Sequence, residues 1–174
     1  MQIRFAGYTA ECRVSGILDL TAERLAEMLN AMDAIELGQV VVESLDDARL
    51  VALDEAMLRR DDLYVVEATS PRGAPALRIP TEQHRLQVHL GPFLVLGRIH
   101  VPPGDLPLRS IAVRGPMVPL TAATIAYVSG GQLRMHDAET LLVNRGLADW
   151  VAAAPADARQ FPGVPIVSRL NPTA

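Results

Sequence analysis

Four arginines have the spacing that most strongly suggests a shared chemical role. Arg13 and Arg98 lie in the middle of two predicted strands, and Arg60 and Arg145 lie just before two others. The members of each pair are about 85 residues apart, the offset at which the chain resembles itself. Two guanidinium groups related by such a repeat can clamp one anion, because each presents a planar fork of N–H donors. The alternative is that these arginines form salt bridges with strand and turn carboxylates such as Glu11 or Asp61.

Metal-ligating residue types are present, but their spacing does not match that of a metal site. The chain has four histidines: His84, His89, His100 and His136. None of them pairs with another at the spacing of a zinc motif, and we interpret them as surface or interface side chains. The carboxylate pairs Asp46-Asp47 and Asp61-Asp62 either bind a hard cation or do acid–base chemistry, or they are solvated turn residues. We predict no metal and no cofactor.

No pattern of catalytic residues is evident. All 16 basic residues are arginine, so Schiff-base chemistry and a phosphate-loop lysine are excluded. The single cysteine, Cys12, excludes an intramolecular disulfide, and its place on the apolar face of a predicted strand indicates a buried thiol. Neither a nucleophile elbow nor a glycine-rich phosphate loop is present. We therefore predict that the protein is not an enzyme, the alternative being an enzyme whose site has no sequence signature.

Composition limits the classes of partner. The chain has 174 residues, of which 49% are hydrophobic, enough to form an apolar core. Its net charge is −4, and we predict no nucleic-acid partner, because such proteins usually carry a basic face. No apolar run approaches the roughly 18 residues of a membrane span. The sequence therefore predicts a cytoplasmic protein without a membrane partner.

Alternating apolar residues predict two β-hairpins. Ile3 and Phe5 begin the first, and the second turns at Gly91-Pro92 with Leu90 opposite Phe93. A helix is predicted over 21–32, since its apolar residues recur at helical spacing behind an N-cap threonine. Short strands are expected near 50–53 and 133–136. A helical turn follows each, at 55–59 and 139–144, before a closing strand.

The self-match divides the chain into two repeats. We predict a first β repeat over 1–68, a linker over 69–85, a second β repeat over 86–154 and a proline-containing tail over 155–174. Each repeat is expected to be a small five-stranded bent sheet or partly open barrel with one helix or helical turn. The fold class is therefore mainly β (α+β), with the repeats packed as a pseudo-symmetric pair. The tail is either a docked edge strand or a loose end.

Leu94 and Leu96 indicate an interface. They lie on the outer face of the second hairpin, where the first carries polar residues, and a strand that is apolar on both faces must bury both. We expect this face to pack on the other repeat or on a second subunit.

Three segments of the second repeat support a resemblance. They are Gly97-Arg98-Ile99-His100-Val101-Pro102-Pro103-Gly104, Val118-Pro119-Leu120-Thr121 and Val143-Asn144-Arg145. They resemble an uncharacterised family of small bacterial β-rich proteins. The order of elements is similar to that of SH3-like and Sm-like small barrels. The resemblance covers about residues 86–152 and, through the repeat, 1–68. It implies a small-barrel fold and no particular activity.

Taken together, these features favour a non-enzymatic interaction or assembly module, forming a homo-oligomer or binding a protein partner. The alternative is a sensor that binds an anion or nucleotide between the repeats through the paired arginines.

Overall fold

The structure, a computed structural model, describes residues 1–68 and 80–154, here called the N-terminal half and the C-terminal half. Within these residues there are ten strands and two α-helices. The strands are β1 Gln2–Tyr8, β2 Cys12–Asp19, β3 Ala34–Ser44, β4 Leu50–Arg59, β5 Val65–Glu67, β6 Glu82–Leu90, β7 Phe93–Val101, β8 Met117–Ser129, β9 Gln132–Asn144 and β10 Trp150–Ala153. The helices are α1 Leu25–Ala31 and α2 Pro107–Val113, and short 3-10 turns cover Arg60–Asp62 and Arg145–Leu147.

All ten strands form one open antiparallel sheet, so the prediction of a mainly β fold is confirmed. The order across the sheet is β10-β6-β7-β8-β9-β5-β1-β2-β3-β4. Within each half, the first four strands pair antiparallel in chain order, and the last strand pairs with the first. The predicted turn with Leu90 opposite Phe93 is present. The halves meet where β5 pairs with β9. Among the described strands, β4 and β10 are left at the two edges.

Two apolar clusters pack on opposite faces of the sheet, and each contains residues from both halves. Val65 belongs to the cluster centred on the C-terminal half, whereas its neighbour Val66 belongs to the cluster of the N-terminal half. Successive strand residues point to opposite faces, so β5 contributes to both cores. Likewise, Tyr8 packs in the C-terminal cluster, and Leu142 and Met117 pack in the N-terminal cluster.

A β-bulge interrupts the second strand of each half. The register shifts between Ser15 and Ile17 where β2 pairs with β3, and between Leu96 and Arg98 where β7 pairs with β8. A glycine occupies each bulge because there is no room for a side chain. A Cβ on Gly97 would lie 2.8 Å from the Leu120 Cβ atom. In each half of the sheet, the second strand is therefore bent locally at its bulge.

The helical segments differ in extent from the sequence predictions. Helix α1 begins at Leu25 rather than near residue 21, because residues 22–24 form bends and Arg24 at the N-cap is extended. Strands β4 and β9 continue through the segments predicted as helical turns, which form only afterwards at Arg60–Asp62 and Arg145–Leu147. In both strands, backbone pairing with the preceding strand over its full length overrides the local pattern.

Two predicted segments lie partly or wholly outside the described residues. These are 69–79 of the predicted linker and the whole of the tail 155–174. The remainder of the predicted linker, from Glu82, belongs to β6 and pairs with β7. Neither described helix is long and apolar enough to cross a membrane.

Candidate functional site

The pairing of β5 with β9, here called the joint, is where the chain brings its two halves together. Its register places Val65 opposite Val143, Val66 opposite Leu142 and Glu67 opposite Leu141. The Ala68 N–H also donates to the Thr140 carbonyl at 3.0 Å. Both halves complete their cores through these residues, so the joint is a structural element and not a loose domain contact.

Glu67 is the centre of a charged cluster at the joint, here called the Glu67 cluster. The Tyr8 hydroxyl donates to Glu67 Oε1 at 2.8 Å, and His136 Nε2 lies 3.2 Å from Glu67 Oε2. Arg13 Nη2 lies 3.6 Å from Glu67 Oε1, and Arg13 Nη1 lies 4.0 Å from Glu43 Oε2. Two strands of the N-terminal half and one of the C-terminal half are thereby linked to one carboxylate.

The environment of the Glu67 cluster shifts the pKa values of its members. Burial, followed by the charge of Glu67, raises the pKa of Tyr8, so this phenol stays protonated. Burial acts to raise the pKa of Glu67, but hydrogen bonds from His136 and Tyr8 outweigh it and lower that pKa. The bond to Glu67 raises the pKa of His136 against the opposing effect of burial. These directions favour an ionised Glu67 beside a protonated His136.

Aromatic rings cover the inner side of the Glu67 cluster. The Tyr8 ring meets those of Phe93 and Tyr127 edge to face, with centroid distances of 5.6 and 5.3 Å. The Arg13 guanidinium lies 5.9 Å from the centre of the Tyr8 ring. Tyr8 is 1% exposed, so its hydroxyl relies on Glu67 for its hydrogen bond.

Two asparagines tie the halves together beyond the joint. Asn30 on α1 accepts from the Met117 N–H at 2.8 Å and donates to the Met117 carbonyl at 3.1 Å. Asn144, which is 3% exposed, donates to the carbonyls of Arg60 and Leu63 at 3.3 and 3.0 Å. Because these bonds satisfy buried backbone groups, they fix the orientation of one half against the other.

A groove of about 390 Å³ lies beside the Glu67 cluster on the surface of β1, β2 and β3. Its polar lining consists of Arg4, Arg13, Ser15, Gln39 and Glu67. Arg13 is held by carboxylates, whereas Arg4 is exposed and has no ionic partner within residues 1–68 and 80–154. The groove can therefore offer one free guanidinium to a small anion.

The structure places the four predicted arginines in separate local contacts. Arg13 and Arg98 lie on β2 and β7, which have four strands between them in the sheet. Arg98 donates to Gln83 Oε1 at 3.2 Å, and Arg60 pairs with Asp33 at 3.2 Å. Arg145 begins the 3-10 turn after β9, and its Nε donates to the Arg114 carbonyl at 2.8 Å. Of the four, Arg13 alone reaches the groove and the Glu67 cluster.

Leu94 and Leu96 lie on the outer face of β7, as predicted, in a third and smaller apolar cluster. Leu96 is 7% exposed and Leu94 is half-buried. The cluster also contains Ala126, Leu133, Met135 and Ala154. Each of these residues belongs to the C-terminal half, so within the described structure this face packs on its own half of the sheet.

Three of the four histidines have a polar partner within hydrogen-bond distance. The buried Nε2 of His84 has none among the described residues and lies 3.7 Å from Glu82 Oε2. His89 lies 2.9 Å from Asp149, and His100 lies 2.8 Å from the Thr121 hydroxyl. Within the described ranges, no three His, Cys, Asp or Glu side chains converge as metal ligands would. Sequence reasoning missed the Glu67 cluster. Its one local signal was a carboxylate in the otherwise apolar strand Val65–Glu67.

Comparison of the chain with protein-family models, curated proteins and solved structures finds no match. The resemblance to small bacterial β-rich proteins and small barrels therefore stays a prediction.

Proposed function

We propose that the protein is a non-enzymatic cytoplasmic assembly module made of two repeats of one five-stranded unit, and that it forms a homo-oligomer. The order of strands supports the repeat. In the C-terminal half it is β10-β6-β7-β8-β9, and in the N-terminal half it is β5-β1-β2-β3-β4. Each half thus has its last strand beside its first, followed by the other three in chain order. The halves follow one another in the same direction along the sheet.

Backbone hydrogen bonds at equivalent points also support the repeat. The Arg60 N–H donates to the Asp33 carbonyl, and the Arg145 N–H donates to the Pro116 carbonyl. In the same way, the bond from Tyr64 to Tyr8 corresponds to the bond from Asp149 to His89. Bonds of this kind depend on backbone position and not on side-chain identity, so they are preserved when sequences diverge.

The bulges change the alignment of the repeats in the hairpins. Gly16 corresponds to Gly97, because each occupies the bulge of its half. With this alignment, Arg13 corresponds to Leu94 and Arg98 corresponds to Ile17. The pair Arg60 and Arg145 keeps its correspondence through the 3-10 turns. The repeat therefore does not make a symmetric clamp of Arg13 and Arg98.

The observation that carries the assembly proposal is the edge strand β4. Four of its exposed residues are large and apolar: Leu50 at 63%, Val51 and Leu53 at 44%, and Met57 at 74%. A long edge strand with apolar side chains is a template for pairing with another chain. Natural proteins blunt such edges with charge, proline or a covering segment. Strand β4 has no proline, and its exposed charged residues, Asp54, Glu55 and Arg59, alternate with these apolar ones instead of replacing them.

Native mass spectrometry and light scattering over a wide range of protein concentration test this proposal. We expect an oligomer of the bare chain. Leu53→Lys should weaken the oligomer by placing a charge on the edge strand. Val128→Lys is the matched control, because Val128 is 54% exposed but lies on β8, away from both edges. A monomer at every concentration would contradict the proposal.

The groove favours a second candidate function, a sensor for a small anion. Its volume of about 390 Å³ is within the range of small-molecule sites, and Arg4 has no ionic partner among the described residues. We expect calorimetry with inorganic phosphate to detect binding that Arg4→Ala removes. Arg24→Ala is the control, since Arg24 is exposed and lies outside the groove. No binding to the wild-type protein would exclude phosphate as the anion.

A further inference from the structure

We propose that β4 of one copy pairs with β10 of the next copy, antiparallel and in the register of the joint. This inference rests on the proposed assembly function and specifies its interface. Strand β4 is the counterpart of β9, and β10 is the counterpart of β5, which are the two strands that pair at the joint. The two edges left by the described strands therefore have the complementary geometry that the joint already uses once within the chain.

The register follows from equivalent hydrogen bonds. Since Tyr64 corresponds to Asp149, Val65 corresponds to Trp150 and Val66 to Val151. Since Arg60 corresponds to Arg145, Leu58 corresponds to Val143 and Met57 to Leu142. At the joint, Val65 lies opposite Val143 and Val66 lies opposite Leu142. In the contact between copies, the counterpart of Val65 opposite Val143 is Trp150 opposite Leu58. The counterpart of Val66 opposite Leu142 is Val151 opposite Met57.

The exposed side chains at the two edges fit this register. At the joint, Leu142 enters the apolar cluster of the N-terminal half, and Val65 enters that of the C-terminal half. Their counterparts, Met57 and Trp150, are 74% and 44% exposed. In the proposed pairing, Met57 of one copy packs beside Val151 of the next copy and joins the C-terminal cluster of that copy. Trp150 of the next copy packs beside Leu58 and joins the N-terminal cluster of the first copy. Both exposed apolar side chains thereby become buried, which is the main source of free energy for association.

The Glu67 cluster has an apolar counterpart between copies. By the same correspondences, Arg13, Glu67 and His136 are replaced by Leu94, Ala152 and Val51. Ion pairing holds the joint, whereas apolar contact would hold the interface between copies. If β5 paired with a β4 strand instead of β9, Glu67 would lie against Val51 and lose its partner His136. This mismatch disfavours an exchange of the two kinds of contact. This gives Leu94, predicted from the sequence as an interface residue, a place in the assembly.

The partner that pairs with the edge of β4 is accordingly a second copy of the chain, placed head to tail. A symmetric dimer would pair β4 with β4 and would leave Trp150 exposed. Head-to-tail pairing repeats the geometry of the joint, and each copy contributes its β4 edge to one neighbour and its β10 edge to the other. Such a contact makes a closed ring if the rotation between copies closes, and otherwise an open filament.

Disulfide cross-linking between separate variants tests the register. Cys12→Ser is the background, and Met57→Cys and Val151→Cys are made on different molecules of the full chain. Directly opposed residues on antiparallel strands have Cα atoms about 4.5–5.5 Å apart, which suits a disulfide. After mild oxidation, we expect a cross-linked dimer in the mixture of the two variants and little in either variant alone.

Leu53→Cys provides the control for register. Leu53 is on the same strand and face as Met57 but four residues away, too far for a disulfide with Val151. We expect at least ~10-fold less dimer from this mixture, since Cα atoms more than about 7 Å apart cannot be bridged.

The remaining outcomes separate this inference from the assembly proposal. Strong cross-linking of Met57→Cys with itself would show β4 paired with β4 and overturn the inference, while the assembly proposal would stand. An oligomer by light scattering without any cross-link would have the same meaning. A monomeric background protein would overturn both.

Discussion

The Asn30 side chain pairs with the backbone of Met117 as a strand would. Its amide accepts from the Met117 N–H at 2.8 Å and donates to the Met117 carbonyl at 3.1 Å. Met117 is 1% exposed and begins β8, so water cannot replace these bonds. The end of α1 is in this way attached to the first residue of a strand in the other half.

Replacing Asn30 by Ala should destabilise the protein by about 1–3 kcal/mol, the usual cost of leaving buried polar groups unpaired. Urea unfolding measures the change. Glu27→Ala on the same helix is the control, because Glu27 is 52% exposed, and its free energy of unfolding should change by less than about 0.5 kcal/mol. Equal effects of the two substitutions would contradict the role assigned to Asn30.

Glu67→Ala should lower the free energy of unfolding by about 1–3 kcal/mol, because the buried Tyr8 hydroxyl would lose its acceptor. Glu67→Gln retains an acceptor for Tyr8 and should be less damaging. Chemical denaturation of the three proteins side by side checks this order. If the glutamine variant is as unstable as the alanine variant, charge and not hydrogen bonding dominates at Glu67.

The free energy of unfolding should fall as pH rises above neutrality, because His136 loses its proton in the folded protein. Its folded pKa is raised from the ordinary value of 6.5 by the bond to Glu67 and the charge of Asp137, although burial and Arg13 oppose this. A raised pKa contributes stability fully below the unfolded pKa and loses it as pH rises through the folded pKa. The contribution is about 1 kcal/mol or less, because a third of the side chain is exposed.

Urea unfolding of the wild type and of His136→Asn, from pH 6 to pH 9, measures this contribution. We expect the wild type to lose more stability than the variant across that range. Parallel pH profiles would show that the titrating group lies elsewhere.

Gly97→Ala should destabilise the fold by about 1–3 kcal/mol through overpacking. The new Cβ atom would lie 2.8 Å from the Leu120 Cβ atom and 3.1 Å from the Ala123 Cβ atom. Gly38→Ala is the matched control, because its Cβ atom would meet nothing closer than the Asp54 carbonyl at 4.0 Å. Thermal unfolding of both variants should show a lower Tm for the Gly97 variant alone.

The mainly β fold could be predicted from the sequence because it depends on local patterns. Alternating residues around Gly91-Pro92 define a hairpin whatever the rest of the chain does, and the observed turn agrees. The extent of β4 could not be predicted, because its second half is held by pairing with β3 and not by its own alternation. Short segments of this kind are decided by their neighbours in the sheet.

The Glu67 cluster could not be predicted for a related reason. Glu67 and His136 are 69 residues apart, and they meet only because β5 pairs with β9. No local spacing indicates that pairing. The arginine pairs were predicted from a constant offset along the chain, and no local pattern revealed the bulges at Gly16 and Gly97 that shift the register of each hairpin.

The sharing of core residues between the halves has a consequence for the order of folding. Residues 1–68 leave the ribosome before residues 80–154, but their apolar cluster includes Met117 and Leu142. The nascent N-terminal half therefore keeps an incomplete core until β9 has been synthesised. Val65 and Tyr8 are needed in turn by the C-terminal cluster. The two halves should consequently mature in one cooperative step after translation of β9, and not as independent domains that fold one after the other.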